Sequence, residues 1–129
     1  MVLQRAVRYN PHDAYSISML GKLYAEQKQG DEIALSLCEQ AVNIDDSYWK
    51  HWYYLAWVRY KMEQYESSLE ALKECLQRES KSVESMNLAG QAYEKLGIKS
   101  KAIKMYKKVL KIAPGHKAAT NALKKIKVN

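Results

Sequence analysis

Glycine, proline and cysteine are all scarce in this 129-residue chain, at five, two and two. So few turn-forming residues argue against a turn-rich β fold and for helices. Cys38 and Cys75 stand 37 residues apart, which makes neither a disulfide framework nor a metal-binding spacing. No apolar run approaches the ~20 residues that span a bilayer. The opening MVLQRAVRYNPHD lacks the apolar stretch of a secretory signal. These absences lead to the expectation of one helical domain with a modest core, in a reducing, cytoplasmic setting.

Acidic residues are absent from Gly97 to Asn129, where there are ten lysines. The net charge of +7 belongs to that end alone, because Met1 to Leu96 carries 11 basic and 14 acidic residues. The same stretch has no arginine and a single aromatic residue, Tyr106, which reads as core. Recognition of nucleic acid usually shows arginine and stacking rings. The lysine-rich end is therefore read as a solvated convex face, with docking of an acidic protein partner as the alternative. Nucleic acid and membrane are not expected partners.

A catalytic constellation is missing as well. His12, His51 and His116 are isolated from one another in sequence. His12 and His116 fall in inter-repeat loops, and His51 flanks the tryptophans, where packing or solvation is expected. The acid pairs Asp31/Glu32 and Asp45/Asp46 sit where loops give way to helices, which suits capping. Cys38 and Cys75 fall on inward faces and read as small hydrophobes. No glycine-rich phosphate loop appears. Neither enzyme activity nor a cofactor nor a metal is expected.

What is present centres on Ser47 to Tyr60, SYWKHWYYLAWVRY, which holds all three tryptophans and four of the ten tyrosines. At ~3.6 residues per turn, Trp52, Leu55, Ala56 and Arg59 share one side. Tyr53, Trp57 and Tyr60 form a second stripe beside it. One apolar stripe suffices to join a core. The second asks for another neighbour, either the next helix or a partner.

The chain also repeats itself. Gly90 in NLAGQAYEKLG follows Ala56 in YYLAWVRYKME by 34 residues, and Gly21 in SMLGKLYAEQKQG precedes Ala56 by 35. Ala34, Ser68 and Ala102 are spaced 34 and 34, so the extra residue of the first unit lies around Lys28 to Gly30. Each unit reads as two amphipathic helices. In the third they run from Val83 to Leu96, ended by Gly97, and from Ser100, a good N-cap, or Lys99 beside it, to Ile112. Pro114 and Gly115 stop the second. Its inward face is Ala102, Ile103, Tyr106, Val109 and Leu110. Small residues at Gly21, Ala56 and Gly90 imply a close crossing of two helices.

This pattern resembles the tetratricopeptide repeat, W-x2-L-G-x2-Y … A-x3-F … P over roughly 34 residues. The third unit carries Gly90, Tyr93, Gly97, Ala102, Tyr106 and Pro114. The first carries Leu20, Gly21, Tyr24, Ala34 and Ala41, and the second Trp52, Leu55, Ala56 and Tyr65. Cys38 and Leu72 replace the second-helix aromatic, and Arg59 the first-helix tyrosine. Asp46 and Ser80 replace the closing proline. The resemblance implies an all-α fold, a right-handed α-solenoid of antiparallel helix pairs. Residues 1–13 would be the second helix of a truncated leading repeat. Repeats would follow over 14–48, 49–82 and 83–116, with a capping helix over 117–129 that turns Ala119, Ala122, Leu123 and Ile126 inward.

The resemblance further implies a protein-interaction module that lays a peptide or helix of its partner in a concave groove lined by the first helices. Carried onto this sequence, the groove would take Tyr15, Ser18 and Lys22 from the first repeat. The second would supply Lys50, Tyr53, Trp57, Tyr60 and Lys61. Glu84, Asn87, Gln91 and Glu94 would come from the third, with Asn121 and Lys125 from the cap. Tyr and Trp are frequent hot spots of binding, although Tyr53 and Trp57 packing between adjacent helices is the alternative. Some tetratricopeptide domains clamp chaperone tails with Lys, Asn and Arg. The corresponding places look like Ser18, Lys22, Tyr54, Glu84 and Leu88, which lack that set apart from Lys22. A second expectation is a segment of a longer scaffold that assembles by stacking its ends.

Overall fold

The structure is a computed structural model that describes residues 13–128. The expectation for the leading half-repeat falls on residues 1–12, outside the described residues. Seven helices follow: α1 Ala14–Ala25, α2 Asp31–Ile44, α3 Trp49–Lys61, α4 Tyr65–Arg78, α5 Val83–Lys95, α6 Lys99–Ile112 and α7 Lys117–Val128. There is no strand among the described residues.

Each helix packs first on its sequence neighbour, giving the pairs α1/α2, α3/α4 and α5/α6. Each pair then stacks on the next through α2/α3 and α4/α5, and α7 closes the stack on α6. The first helices also touch along the stack, α1 on α3 and α3 on α5, whereas the second helices make little direct contact with one another. The stack therefore closes up on the first-helix side and opens on the other. Between α4 and α6 it leaves an outer cavity of about 560 Å³, floored by Leu72, Ala89 and Tyr93.

The repeat spacing has a physical basis at the crossings. A Cβ on Gly90 would lie 2.6 Å from Cε1 of Tyr106, and one on Gly21 2.8 Å from Sγ of Cys38. In the middle repeat Ala56 takes the small position and is fully buried, and Leu72, one repeat before Tyr106, is 1% exposed. A larger first-helix residue is matched there by a ring-free second-helix residue. Ser68, standing where the other repeats have alanine, donates a 2.7 Å hydrogen bond to the Ala56 carbonyl. Its hydroxyl is thereby satisfied within the core.

The turns follow the sequence as well. The links after α3 and α5 are three residues long, whereas the five residues 26–30 link α1 to α2, because α1 ends one residue sooner after its small crossing residue and the link holds the extra residue of the first unit. Gly97 ends α5 at φ 75°, and Glu63, its counterpart after α3, adopts φ 62°. Both helices close with the same paired bonds. Gln64 N–H donates to Arg59 O and Ile98 N–H to Tyr93 O, 2.8 and 2.9 Å. Asp13 caps α1 by accepting from the N–H groups of Tyr15 and Ser16, and Ser82 caps α5. Ser100 does not cap α6, because the helix already starts at Lys99 and its N-cap, Ile98, has no side-chain acceptor.

Candidate functional site

The first-helix side is built from α1, α3, α5 and α7. Along α3, His51, Leu55, Ala56 and Val58 are buried. Tyr53, Trp57 and Tyr60 are half-buried and pack against a core cluster that runs from the first repeat to Leu88 and Ala89 of the third. Their rings meet neighbours edge-on. Trp49 and Tyr53 have centroids 6.2 Å apart, Tyr53 and Tyr54 5.9 Å, and Tyr60 and Tyr65 5.4 Å. Burial, followed by the nearby Glu84 carboxylate, pushes the Tyr53 phenol up from its ordinary range. Burial does the same to Tyr60, with smaller contributions from Tyr65 and Glu94.

The lysines of this side differ in what they touch. Lys22 lies 5.8 Å above the Tyr54 ring and Lys50 5.7 Å above Trp49. Lys61 is committed to the joint between repeats. Its ammonium sits 3.3 Å from Asp31 Oδ1 and 5.1 Å above the Trp57 ring, and it donates to the Ala25 carbonyl. Tyr15 is 58% exposed. Ser18 and Asn87 hold equivalent places in the first and third repeats. Ser18 Oγ and Asn87 Oδ1 are buried without a hydrogen-bond partner among the described residues. Asn121 and Lys125 are exposed on α7.

Four of the sequence-derived residues, Tyr60, Gln91, Glu94 and Lys125, line one cavity. Tyr60 of α3, Gln91 of α5 and Lys125 of α7 surround a space of about 280 Å³. Glu94, Lys95, Gly97, Lys99 and Ile126 complete its lining. Glu94 Oε2 accepts a 2.7 Å hydrogen bond from the Tyr106 hydroxyl. Burial, with that bond, pushes the phenol well above its usual range. Sequence reasoning passed over Lys95 and counted Lys99 only among the lysines of the basic end.

Other features lay beyond sequence reasoning because they join distant residues. Trp52 Nε1 donates to the Asp46 carbonyl at 2.9 Å, the Arg78 guanidinium lies 5.1 Å over its ring, and Arg78 Nε donates to the same carbonyl. Arg59, standing where the repeat pattern has tyrosine, donates to Ser67 O at 3.0 Å and lies 3.9 Å from Glu39. His51 is 2% exposed, with Nε2 3.7 Å from Asp45. Burial pulls its pKa down, and Asp45 and Asp13 partly oppose that. His116 instead accepts from the N–H of Ala119 and caps α7. The two free thiols are buried, and burial pushes each up to about 12. Among the described residues no three His, Cys, Asp or Glu side chains gather as a metal site.

Seven helices stacked pairwise at this spacing define a tetratricopeptide-type α-solenoid. Within that class the chain belongs to the ChAPs family (Chs5p-Arf1p-binding proteins), whose model matches residues 1–122. No curated protein sequence matches the chain. Solved structures share its fold. The crystal structure of MamA superposes with TM-score 0.88 at 19% identity, over 96% of this chain and 72% of that one. The first TPR of Spaghetti (RPAP3), bound to the HSP90 peptide SRMEEVD, gives 0.85 at 19% identity, over 88% of this chain and 90% of that one. A chain of the APC/C hetero-tetramer Cut9-Hcn1 gives 0.89 at 20% identity, over 96% of this chain but only 25% of the other.

Proposed function

We propose that this chain is a non-enzymatic protein-interaction module that holds a peptide or helix of a partner protein along its first-helix side. The observation that carries this reading is the continuity of that side. The half-buried stripe Tyr53, Trp57, Tyr60 leads into the cavity shared by Gln91 and Lys125. Exposed and half-exposed rings offer rigid contact area with polar tips, which suits a recognition surface. The RPAP3 domains of the same fold are seen with HSP90 and HSP70 peptides, and the family's name describes binding of proteins. A chaperone tail is not the proposed ligand. At the corresponding places Leu88 and Ser18 are buried and Lys22 lies over Tyr54. A reduced, cytoplasmic setting is proposed from the two free buried thiols.

Peptide display at physiological salt tests this reading, with wild type, Trp57→Ala and Gln91→Ala compared after each fold is verified by circular dichroism. A consensus on wild type that weakens on both variants is expected. Selection of the same peptides by all three proteins would place the binding surface elsewhere. A scaffold reading, in which the chain stacks through its ends, draws on its match to a quarter of a chain of the Cut9-Hcn1 assembly. It requires a mass that grows with concentration.

A further inference from the structure

The cavity at the C-terminal end of the first-helix side has a charge pattern unlike the rest of that side. We infer that it is a carboxylate receptor, in which Lys95, Lys99 and Lys125 take an acidic side chain or a free C-terminus of the bound segment. The inference rests on the groove reading for the remainder of that segment. The three lysines come from three separate elements, the end of α5, the start of α6 and the middle of α7, and line one space of about 280 Å³. None of them lies within ion-pair distance of a carboxylate among the described residues. The other first-helix lysines differ. Lys22 and Lys50 cover rings, and Lys61 is paired with Asp31.

The one acid in the lining is Glu94, and the Tyr106 hydroxyl already occupies one of its oxygens. Three cations against one carboxylate leave the space net positive. Tyr60 and Gln91 add a phenol and an amide. Both can donate to a carboxylate oxygen. The volume lies at or below the ~300 Å³ lower bound of ordinary small-molecule pockets. A side chain or a chain end fits that size better than a whole ligand. Lysine supplies point charges without a fixed fork, so the space selects charge more than one orientation.

Amide-shift titrations of ¹⁵N-labelled protein test this with defined probes. One is a blocked alanine pentapeptide with a central aspartate, Ac-Ala-Ala-Asp-Ala-Ala-NH2. The second is an acetylated alanine tetrapeptide whose only carboxylate is its C-terminus, and the third is inorganic phosphate. Two charge-matched variants are compared: Lys95→Gln/Lys99→Gln/Lys125→Gln at the cavity and Lys104→Gln/Lys107→Gln/Lys111→Gln on the outer side of α6. Saturating shifts at Gln91, Lys95, Gly97 and Lys99 are expected with at least one carboxylate peptide, and the peptide that saturates first names the source. Affinity should fall about tenfold in the cavity variant and less than about twofold in the outer one. Equal losses in both variants, shifts that do not saturate, or phosphate saturating at lower concentration than either peptide would overturn the inference. If these shifts appear while peptide display finds no groove ligand, the groove reading fails and the carboxylate site stands. A groove consensus without an acidic position, and without these shifts, sinks the carboxylate site alone.

Discussion

Glu63 holds a backbone conformation that its side chain disfavours. Its φ of 62° matches the 75° of Gly97 one repeat later, in a turn of the same length and bonding. A non-glycine residue in the left-handed region costs about 1 kcal/mol. Glu63→Gly should therefore stabilise the fold by up to about 1 kcal/mol, and Gly97→Ala should destabilise it by a similar amount. Urea unfolding midpoints measure both, and a lower midpoint for Glu63→Gly would refute the strain argument. His51 supplies a pH dependence. Burial lowers its pKa below the ordinary 6.5, so the unfolded chain binds the proton more readily. Stability should hold above that value and decline as pH falls below it, and His51→Phe should flatten the decline. Asp13 and Asp45 act in a different window. Hydrogen bonds from Ser16 and Ser47 hold their carboxyls below the ordinary 3.8, so their contribution is lost only under more acid conditions. A wild-type stability that is flat between pH 7 and 5 would contradict the His51 account.

At the scale of helices, the crossings set how large the facing residues can be. Gly90 admits Tyr106 because it has no Cβ, and a Cβ would fall 2.6 Å from the ring. Gly90→Ala should lose about 1–3 kcal/mol by overpacking. Adding Tyr106→Leu copies the middle repeat, where Ala56 and Leu72 share one core. The pair should therefore couple favourably, so that the double variant loses less than the sum of the singles. Strict additivity in thermal unfolding would show that the two sites do not compete for the same volume. The helices themselves were legible in the sequence, because Gly97, Pro114 and the 34-residue recurrence mark them directly. The start of α6 was less so. Ser100 looked like a cap, yet the turn closed by Gly97 brings the chain into helix at Lys99. Local capping preference yields there to the geometry of the preceding turn.

Across the whole molecule, the stacking order was legible while the joints between repeats were not. The clasp of Lys61 with Asp31 and Ala25 and that of Arg78 with Trp52 and Asp46 link residues about one repeat apart. No local pattern announces which lysine or arginine will be drawn in. The aromatic stripe of α3 was likewise visible in sequence, whereas its depth depends on how closely α1 and α5 approach it. The two faces of the solenoid now offer distinct alternatives for a partner, the first-helix side and the outer cavity between α4 and α6.

Amide-shift mapping of a display-selected peptide on ¹⁵N-labelled wild-type protein separates the two faces directly. The account predicts shifts that run along one side of the stack, through Lys22, Tyr53, Trp57 and Gln91 to Lys125. Shifts confined to Leu69, Leu76, Met105 and Lys108, which line the outer cavity, would contradict it.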